Sequence, residues 1–262
     1  GCRLSLGKTM DYLVEGINQG NLVITSVVMV VLVVASTKAR VLDSAGVTAA
    51  VFVGLLVGLL GHWTWLLTLL AFLVFSHLAT KWKFEEKKAR NMSESDDGHR
   101  GWVNVFANGG IPALVATGAF LTEDWEYGLW MFGAAVSVAA ADTFASEFGC
   151  LDDNVRMITT FKKCEPGING GYSKTGQIAA LIGAVIIGLM TFGAWYATNL
   201  DNTVNDGLLL TCAVIVIGWI GCQIDSLLGA WFENRGYLTK GGVNALAITS
   251  GMLIMFAWLN LS

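Results

Sequence analysis

Apolar residues in this chain come in long, nearly uncharged blocks and not in the alternating or one-faced patterns of a soluble fold. Leu22–Ala35 and Leu66–Phe75 contain no charged residue. A helix needs about 20 mostly apolar residues to cross the hydrocarbon core of a bilayer. Eight blocks meet that length, at 21–38, 44–61, 63–82, 101–121, 128–149, 176–198, 206–232 and 241–260. The first is rich in Val and Ile, yet within lipid the backbone must satisfy its own hydrogen bonds, so β-branching there still predicts helix. Gly54 and Gly58 give the second block a small-xxx-small face, and Gly133, Ser137, Ala141 and Ala145 give the fifth another. Such stripes let helix backbones approach closely. The pattern predicts an all-α, polytopic transmembrane bundle of about eight spans, with 1–20 as an outer segment and 21–262 as a single transmembrane domain.

The basic residues order these spans across the membrane. Of the 16 Lys and Arg, all but Arg3 and Lys8 fall in alternate connections: Lys38 and Arg40; Lys81 to Arg100; Arg156 to Lys174; Arg235 and Lys240. The intervening connections 122–126 and 199–206 carry none. By the positive-inside rule, both termini lie outside the cytoplasm, and loops 81–100 and 150–175 face the cytoplasm or stroma. Lys81–Arg100 is expected to extend span three as a helix, with a Glu86–Arg90 pair, and then to form a solvated acidic hairpin over 91–98.

Composition agrees with this reading. The chain is 54% hydrophobic and 14% charged, against about a quarter charged in a soluble domain. A net charge of −4 gives no reason to expect a nucleic-acid partner. The five cysteines show no CxxC pair or ligand spacing, so they read as small buried hydrophobes. At the N-terminus, Gly1 to Ser5 fits a myristoylation signal only on the wrong side of the membrane. Gly1…Gly7-Lys8-Thr9 has five residues between its glycines where a phosphate-binding loop has four. Both readings are rejected, Met10 is a plausible natural start, and no cleavable signal peptide is evident.

The polar residues within or beside the spans gather on the basic side: Asp43, Asn104, Asn108, Asp142, Thr143, Ser146, Glu147, Asp225, Ser226 and Asn244. A charge at membrane depth costs roughly 2.5–3.5 kcal/mol on insertion scales, so such groups suggest function. Three carboxylates, Asp142, Glu147 and Asp225, suit a hard cation such as Mg²⁺, which takes one or two carboxylates alongside waters and phosphate oxygens. Asp142 and Glu147 lie roughly 140° apart around one helix; Asp225 is the first partner expected for them. Pro166-Gly-Ile-Asn-Gly-Gly171 with Ser173 supplies backbone N–H groups before span six, where turns of this kind and helix N-termini bind anions. Lys162, Lys163 and Lys174 add positive charge. Metal, cations and a phosphate cradle are the parts that phosphoryl transfer needs. A groove open to the cytoplasm implies a lipid-phosphate acceptor and a soluble nucleotide donor.

Five ordered motifs carry a resemblance: Arg100-Gly-Trp-Val-Asn-Val-Phe-Ala-Asn-Gly-Gly-Ile-Pro112, Ala141-Asp-Thr-Phe-Ala-Ser-Glu147, Ile158-Thr-Thr-Phe-Lys162, Pro166-Gly-Ile-Asn-Gly-Gly171 and Asp225-Ser-Leu-Leu-Gly-Ala230. Together they resemble the integral-membrane family of plant phytyl-phosphate kinase and animal transmembrane protein nineteen. Departures from that family are Ile168 for Thr, Phe144 for Trp, a single Asn in Gly241-Gly-Val-Asn244, and a shorter 233–240 loop. The resemblance implies a prenyl-phosphate kinase making the diphosphate of a phytyl or geranylgeranyl chain, with Mg²⁺ as cofactor. CTP is the co-substrate implied by similarity to polyprenol and phytol kinases. It makes Asp142, Glu147, Asp225 and Lys162 catalytic candidates, the three acids also metal ligands. Asp43, Asn104, Asn108, Thr159, Thr160, Lys163, Gly167, Asn169, Gly170, Gly171, Ser173 and Asn244 are candidates for holding substrate or nucleotide. A CDP-lipid-forming cytidylyltransferase needs the same parts, and a transporter of lipid phosphate or ions is the reading from another class.

Overall fold

The computed structural model describes residues 19–93, 98–198 and 204–261. The expectations for the first nine residues and for Met10 fall outside this range, as do parts of the 91–98 and 199–206 loops. Among the described residues, eight helices are long and apolar enough to cross a membrane. They are α1 (Gln19–Ala39), α2 (Ser44–Leu56, continued by a π-turn at Val57–Gly61), α3 (Trp63–Lys81) and α5 (Trp102–Thr122). After these come α6 (Trp125–Gly149), α7 (Lys174–Thr198), α8 (Val204–Leu228, continued by a π-turn at Gly229–Glu233) and α9 (Lys240–Leu261). A short α4 (Phe84–Ala89) follows α3, and a two-stranded hairpin, β1 (Arg156–Met157) with β2 (Gly171–Tyr172), precedes α7. Large apolar side chains such as Val30, Leu114 and Leu121 face outward, the arrangement expected where the solvent is lipid.

Helix starts are fixed by local capping. Asp43 Oδ1 accepts the Gly46 N–H at 2.6 Å, Asp124 Oδ1 accepts that of Tyr127 at 3.1 Å, and Ser173 Oγ accepts that of Gly176 at 3.1 Å. Each satisfies an N–H that a helix end leaves orphaned. Beside Ser173, Asp152 accepts from the Asn154 N–H and the Thr175 hydroxyl, which hold its carboxyl below the usual carboxylate range. The π-turn in α2 frees carbonyls from the helical ladder, and side chains from other helices meet them. Gly58 O accepts from Asn21 Nδ2 at 2.9 Å, and Leu60 O accepts from Trp125 Nε1 at 3.0 Å.

α6 is the central pillar. Of its most apolar 18-residue stretch 83% is buried, against 22% for that of α1 and 50% for that of α7. The small-residue stripe explains this: Gly133 meets Thr191 of α7, and Ser137 packs on Gly218 of α8, where any Cβ would overlap it. Gly183 of α7 lies so close that a Cβ would stand 2.7 Å from Ala140 O. On the other side, Gly54 and Gly58 of α2 receive Met29 and Thr25 of α1. Both stripes read from the sequence are helix contacts.

The 81–100 connection departs from the expected solvated extension. Trp82 leaves the helix, Lys83 takes a left-handed conformation with φ of 49°, and α4 folds back on the bundle. Lys87 enters the interior, 2.6 Å from Glu147 Oε2, and also donates to Ala79 O at 3.0 Å. Thr80 donates to Glu147 Oε1 at 2.5 Å. The side chains of Lys87 and Glu147 are 1% and 9% exposed. A charge run that looks solvated thus hides one cation whose counter-ion lies in span five. The Glu86–Arg90 pair forms at 2.9 Å, and Arg90 also reaches Asp153 at 3.4 Å.

Removing one partner of a buried pair strands the other, at about 3–5 kcal/mol. Lys87→Ala should therefore lower the thermal midpoint in detergent sharply. Lys87→Met with Glu147→Gln should recover most of the loss, because Gln still accepts from Thr80; a double variant no better than the single would disprove the pairing. His62, the one residue between the α2 π-turn and α3, is pulled by burial from 6.5 to about 4. The fold holds it neutral while the unfolded chain charges below about 6.5, so its contribution is intact above that pH and is lost toward pH 4. Stability should fall by on the order of 2 kcal/mol between pH 7 and 5 from this group. His62→Asn, which keeps a cap, should flatten that slope in a pH series of melting curves.

Candidate active site at one end of the bundle

Asp142 on α6 and Asp225 on α8 approach one another closely enough for their carboxyl groups to hydrogen-bond. Oδ2 of Asp225 is buried and has no hydrogen-bond partner among the described residues. The next charges acting on Asp225 are Lys240, at the start of α9, and Glu233, at the end of the α8 π-turn. Two carboxylates in contact repel unless a proton or a cation stands between them.

The Gly/Asn loop is fixed onto the same end of α8. Gly170 has φ of 83° and lies where a Cβ would stand 2.6 Å from Ala230 Cβ and 2.9 Å from Ser226 O. Only glycine suits both the left-handed backbone and that approach. Asn169 O accepts from Asn234 Nδ2 at 3.0 Å, and Gly170 O accepts the Ile158 N–H at 2.9 Å. The Gly171 N–H is used within the loop, donating to Ile168 O at 2.9 Å. Two of the five motifs, Pro166–Gly171 and Asp225–Ala230, are therefore one packed unit. Ser173 is buried as the α7 cap. Thr159, Thr160, Lys162 and Lys163 occupy the exposed tip between β1 and the loop, where Phe161 has φ of 55° and its carbonyl is held by Arg156 at 3.0 Å.

Beside this unit opens a polar cavity of about 810 Å³. Asp43, Asn104, Gly167 and Asn244 line it, together with Arg100 and Lys240. Asn108 lies one turn deeper than Asn104 and donates to its carbonyl at 2.9 Å, while its own Oδ1 is buried without a partner among the described residues. Arg100 is buried and donates to Thr80 Oγ1 at 3.1 Å. Lys240 connects the two parts, since it lines the cavity and acts on Asp225.

The candidate residues do not form one cluster. Asp43, Asn104, Gly167 and Asn244 share the cavity; Asp142 and Asp225 pair behind Lys240; Asn169, Gly170 and Gly171 cover the end of α8. The expected trio of metal carboxylates does not assemble: among the described residues no three His, Cys, Asp or Glu side chains converge on a metal position. Both oxygens of Glu147 have partners in Lys87 and Thr80, which turns it toward α3 and α4. A divalent cation suits the remaining Asp142–Asp225 pair, where one buried carboxylate oxygen lacks a partner and two carboxylates meet the usual protein share for Mg²⁺.

Arg100 and Lys240 line the cavity although neither is among the site residues expected from the sequence. Their signal is a short echo, Arg100-Gly-Trp-Val-Asn104 and Lys240-Gly-Gly-Val-Asn244. Arg100 stands two residues before α5 and Lys240 is the first residue of α9, and both segments line the cavity. Gly241 lies where a Cβ would be 3.5 Å from Val103 Cγ1.

Comparison with known proteins agrees with the span pattern. No solved structure matches the chain. It is similar to Uncharacterized membrane protein MJ0933 of Methanocaldococcus jannaschii, 32% identical over 234 residues, which cover 89% of this chain and 92% of that protein. It is also similar to Protein PGR of Arabidopsis thaliana, 31% identical over 185 residues, which cover 64% of each chain. The model of the family described as Integral membrane protein DUF92 matches residues 27–255, and with the motif order and the eight-span bundle this shows that the chain belongs to the DUF92 family of integral membrane proteins.

Proposed function

We propose that the protein is a prenyl-phosphate kinase, transferring a phosphoryl group from a nucleoside triphosphate to phytyl or geranylgeranyl monophosphate. The observation that carries this reading is the Asp142–Asp225 contact with its unpartnered buried oxygen. It stands beside a loop packed on the same helix and a cavity flanked by Arg100 and Lys240. CTP is the favoured donor on the resemblance to CTP-dependent lipid kinases. The one-sided basic residues favour a site facing the cytoplasm or stroma.

In this reading an oxygen of the acceptor monophosphate attacks the γ-phosphorus. A new O–P bond forms, the bond from that phosphorus to the β–γ bridging oxygen breaks, and nucleoside diphosphate leaves. Arg100 and Lys240 neutralise the phosphates that meet in the cavity, and Asn104 and Asn244 donate to their non-bridging oxygens. A phosphate monoester, with a second pKa near 6, is already largely ionised at neutral pH, so the acceptor requires no general base. Asp142 and Asp225 would hold a divalent cation, which supplies charge neutralisation and alignment of the phosphates. Lys162 and Lys163, at the exposed hairpin tip, would act by attracting nucleotide. Glu147, paired with Lys87, would act by holding α4 and the adjoining loop in place.

The purified protein with geranylgeranyl phosphate, Mg²⁺ and CTP should yield prenyl diphosphate and CDP. Absence of diphosphate with every nucleotide tested would reject the kinase, and release of pyrophosphate with a CDP-lipid would assign a cytidylyltransferase instead. Asp142→Asn and Asp225→Asn should each lower turnover by roughly 100-fold or more while eluting as folded protein. Lys240→Gln should raise KM for the nucleotide by roughly ten- to a hundredfold, the worth of one charge-assisted hydrogen bond; an unchanged KM would remove Lys240 from the nucleotide site.

A further inference from the structure

A second, narrower space lies between α1, α2, α3 and α5. It measures about 50 Å³ and is walled by apolar side chains, among them Met29, Leu32, Val53, Leu66, Leu70 and Leu73. Its lining changes character at one end, where Arg100, Asn104 and Asn108 enter. Arg100 and Asn104 also line the polar cavity, so the two spaces meet at these residues. Asn108 brings its unpartnered Oδ1 to the same end. A wholly apolar occupant would leave that oxygen unsatisfied, so this is where a ligand turns polar.

We propose that this crevice receives the first isoprene units of the lipid acceptor, whose phosphate lies against Arg100 and Asn104 in the polar cavity. The assignment rests on the prenyl-phosphate reading above and adds to it the acceptor side of the site. Of the two echoing segments, Arg100–Asn104 serves the acceptor, and Lys240–Asn244, next to Asp225 and the Gly/Asn loop, serves the nucleotide.

The crevice is tight, at about a third of the roughly 150 Å³ of an engineered cavity that admits benzene. A chain enters only if a wall yields, and α1 is the wall that can. Its most apolar 18-residue stretch is 22% buried, the lowest of the eight, and its main contacts are with α2, the following π-turn and α3. Met29 and Leu32, its contributions to the crevice, are apolar and can exchange helix contacts for lipid at small cost, because lipid tails are equally apolar. Met29 is also unbranched and adapts to irregular gaps. The substrate chain thus enters sideways from the bilayer, past α1, without passing through water.

The test uses the full chain in lipid nanodiscs with a geranylgeranyl phosphate carrying a diazirine in its first isoprene units, without nucleotide. Irradiation should label peptides holding Met29, Val53 or Leu70, and excess geranylgeranyl phosphate should suppress that label. Label confined to the outer faces of α7 and α8, or label displaced equally by phosphatidylcholine, would overturn the assignment. Ala50→Phe and Leu70→Trp both narrow the crevice, and either suffices if the other fails to fold. Each should lower crevice labelling and reduce the kcat/KM ratio of geranylgeranyl over dimethylallyl phosphate by roughly tenfold. A labelled crevice with no diphosphate from any nucleotide would sink the kinase reading and uphold the crevice. Diphosphate formation with an unmoved chain-length ratio and no crevice label would overturn the crevice and uphold the kinase.

Discussion

The close approach of α6 to its neighbours is the constraint on which the rest of this bundle depends. In lipid, helices gain little by hiding apolar surface, because the tails outside are as apolar as leucine. What holds them is dense packing and the few polar groups that find partners. Gly133 against Thr191, Ser137 against Gly218 and Gly183 against Ala140 bring α6, α7 and α8 to near backbone contact. That contact carries Asp142 to Asp225, one turn beyond the Ser137–Gly218 level on α6. A bulkier stripe would part the helices and separate the acids. The packing that stabilises the fold and the geometry that brings the two acids of the candidate site together are therefore one feature.

Asp142 and Glu147 show how position on such a helix decides the role of a carboxylate. Five residues apart on α6, they point to different neighbours. Glu147 meets Lys87 and Thr80, so its negative charge is neutralised and its oxygens are occupied. Asp142 meets another acid. A paired ion is a stable end point, whereas two acids in contact call for something between them. Only the second arrangement suggests a ligand, and for that reason the functional reading rests on Asp142 and Asp225.

Much of the architecture was legible in the chain, because lipid imposes a single length scale. The predicted spans begin and end within three residues of the observed helices, and the breaks fall at Asp43, His62, Asp124 and Ser173, where capping chemistry is local. Both small-residue stripes could be read for the same reason: they repeat every four residues on one helix. Lys87 could not. It sits in a run of lysines and glutamates that resembles any exposed surface helix, and its counter-ion is 60 residues away. The trio of acids failed similarly, since spacing along α6 gives the angle between Asp142 and Glu147 but not which helix faces each.

The site's cations were the harder part to read, and the reason is physical. A positive charge at a span boundary serves topology first, and nothing in a tally of Lys and Arg separates those that only anchor a loop from those that turn inward. Arg100 and Lys240 are distinguished by the next four residues of each segment: Gly, one variable residue, Val, then Asn within the first five residues of a helix. Small residues at the helix start let the two segments face each other closely, and each Asn then projects into the same cavity as its cation. The difference between them lies in their surroundings. Arg100 borders an apolar crevice, while Lys240 borders the acid pair and the Gly/Asn loop. Two similar cationic segments thus have different neighbours, one an apolar crevice and the other the acid pair, and the proposed transfer between a membrane-borne and a water-borne phosphate would use that difference.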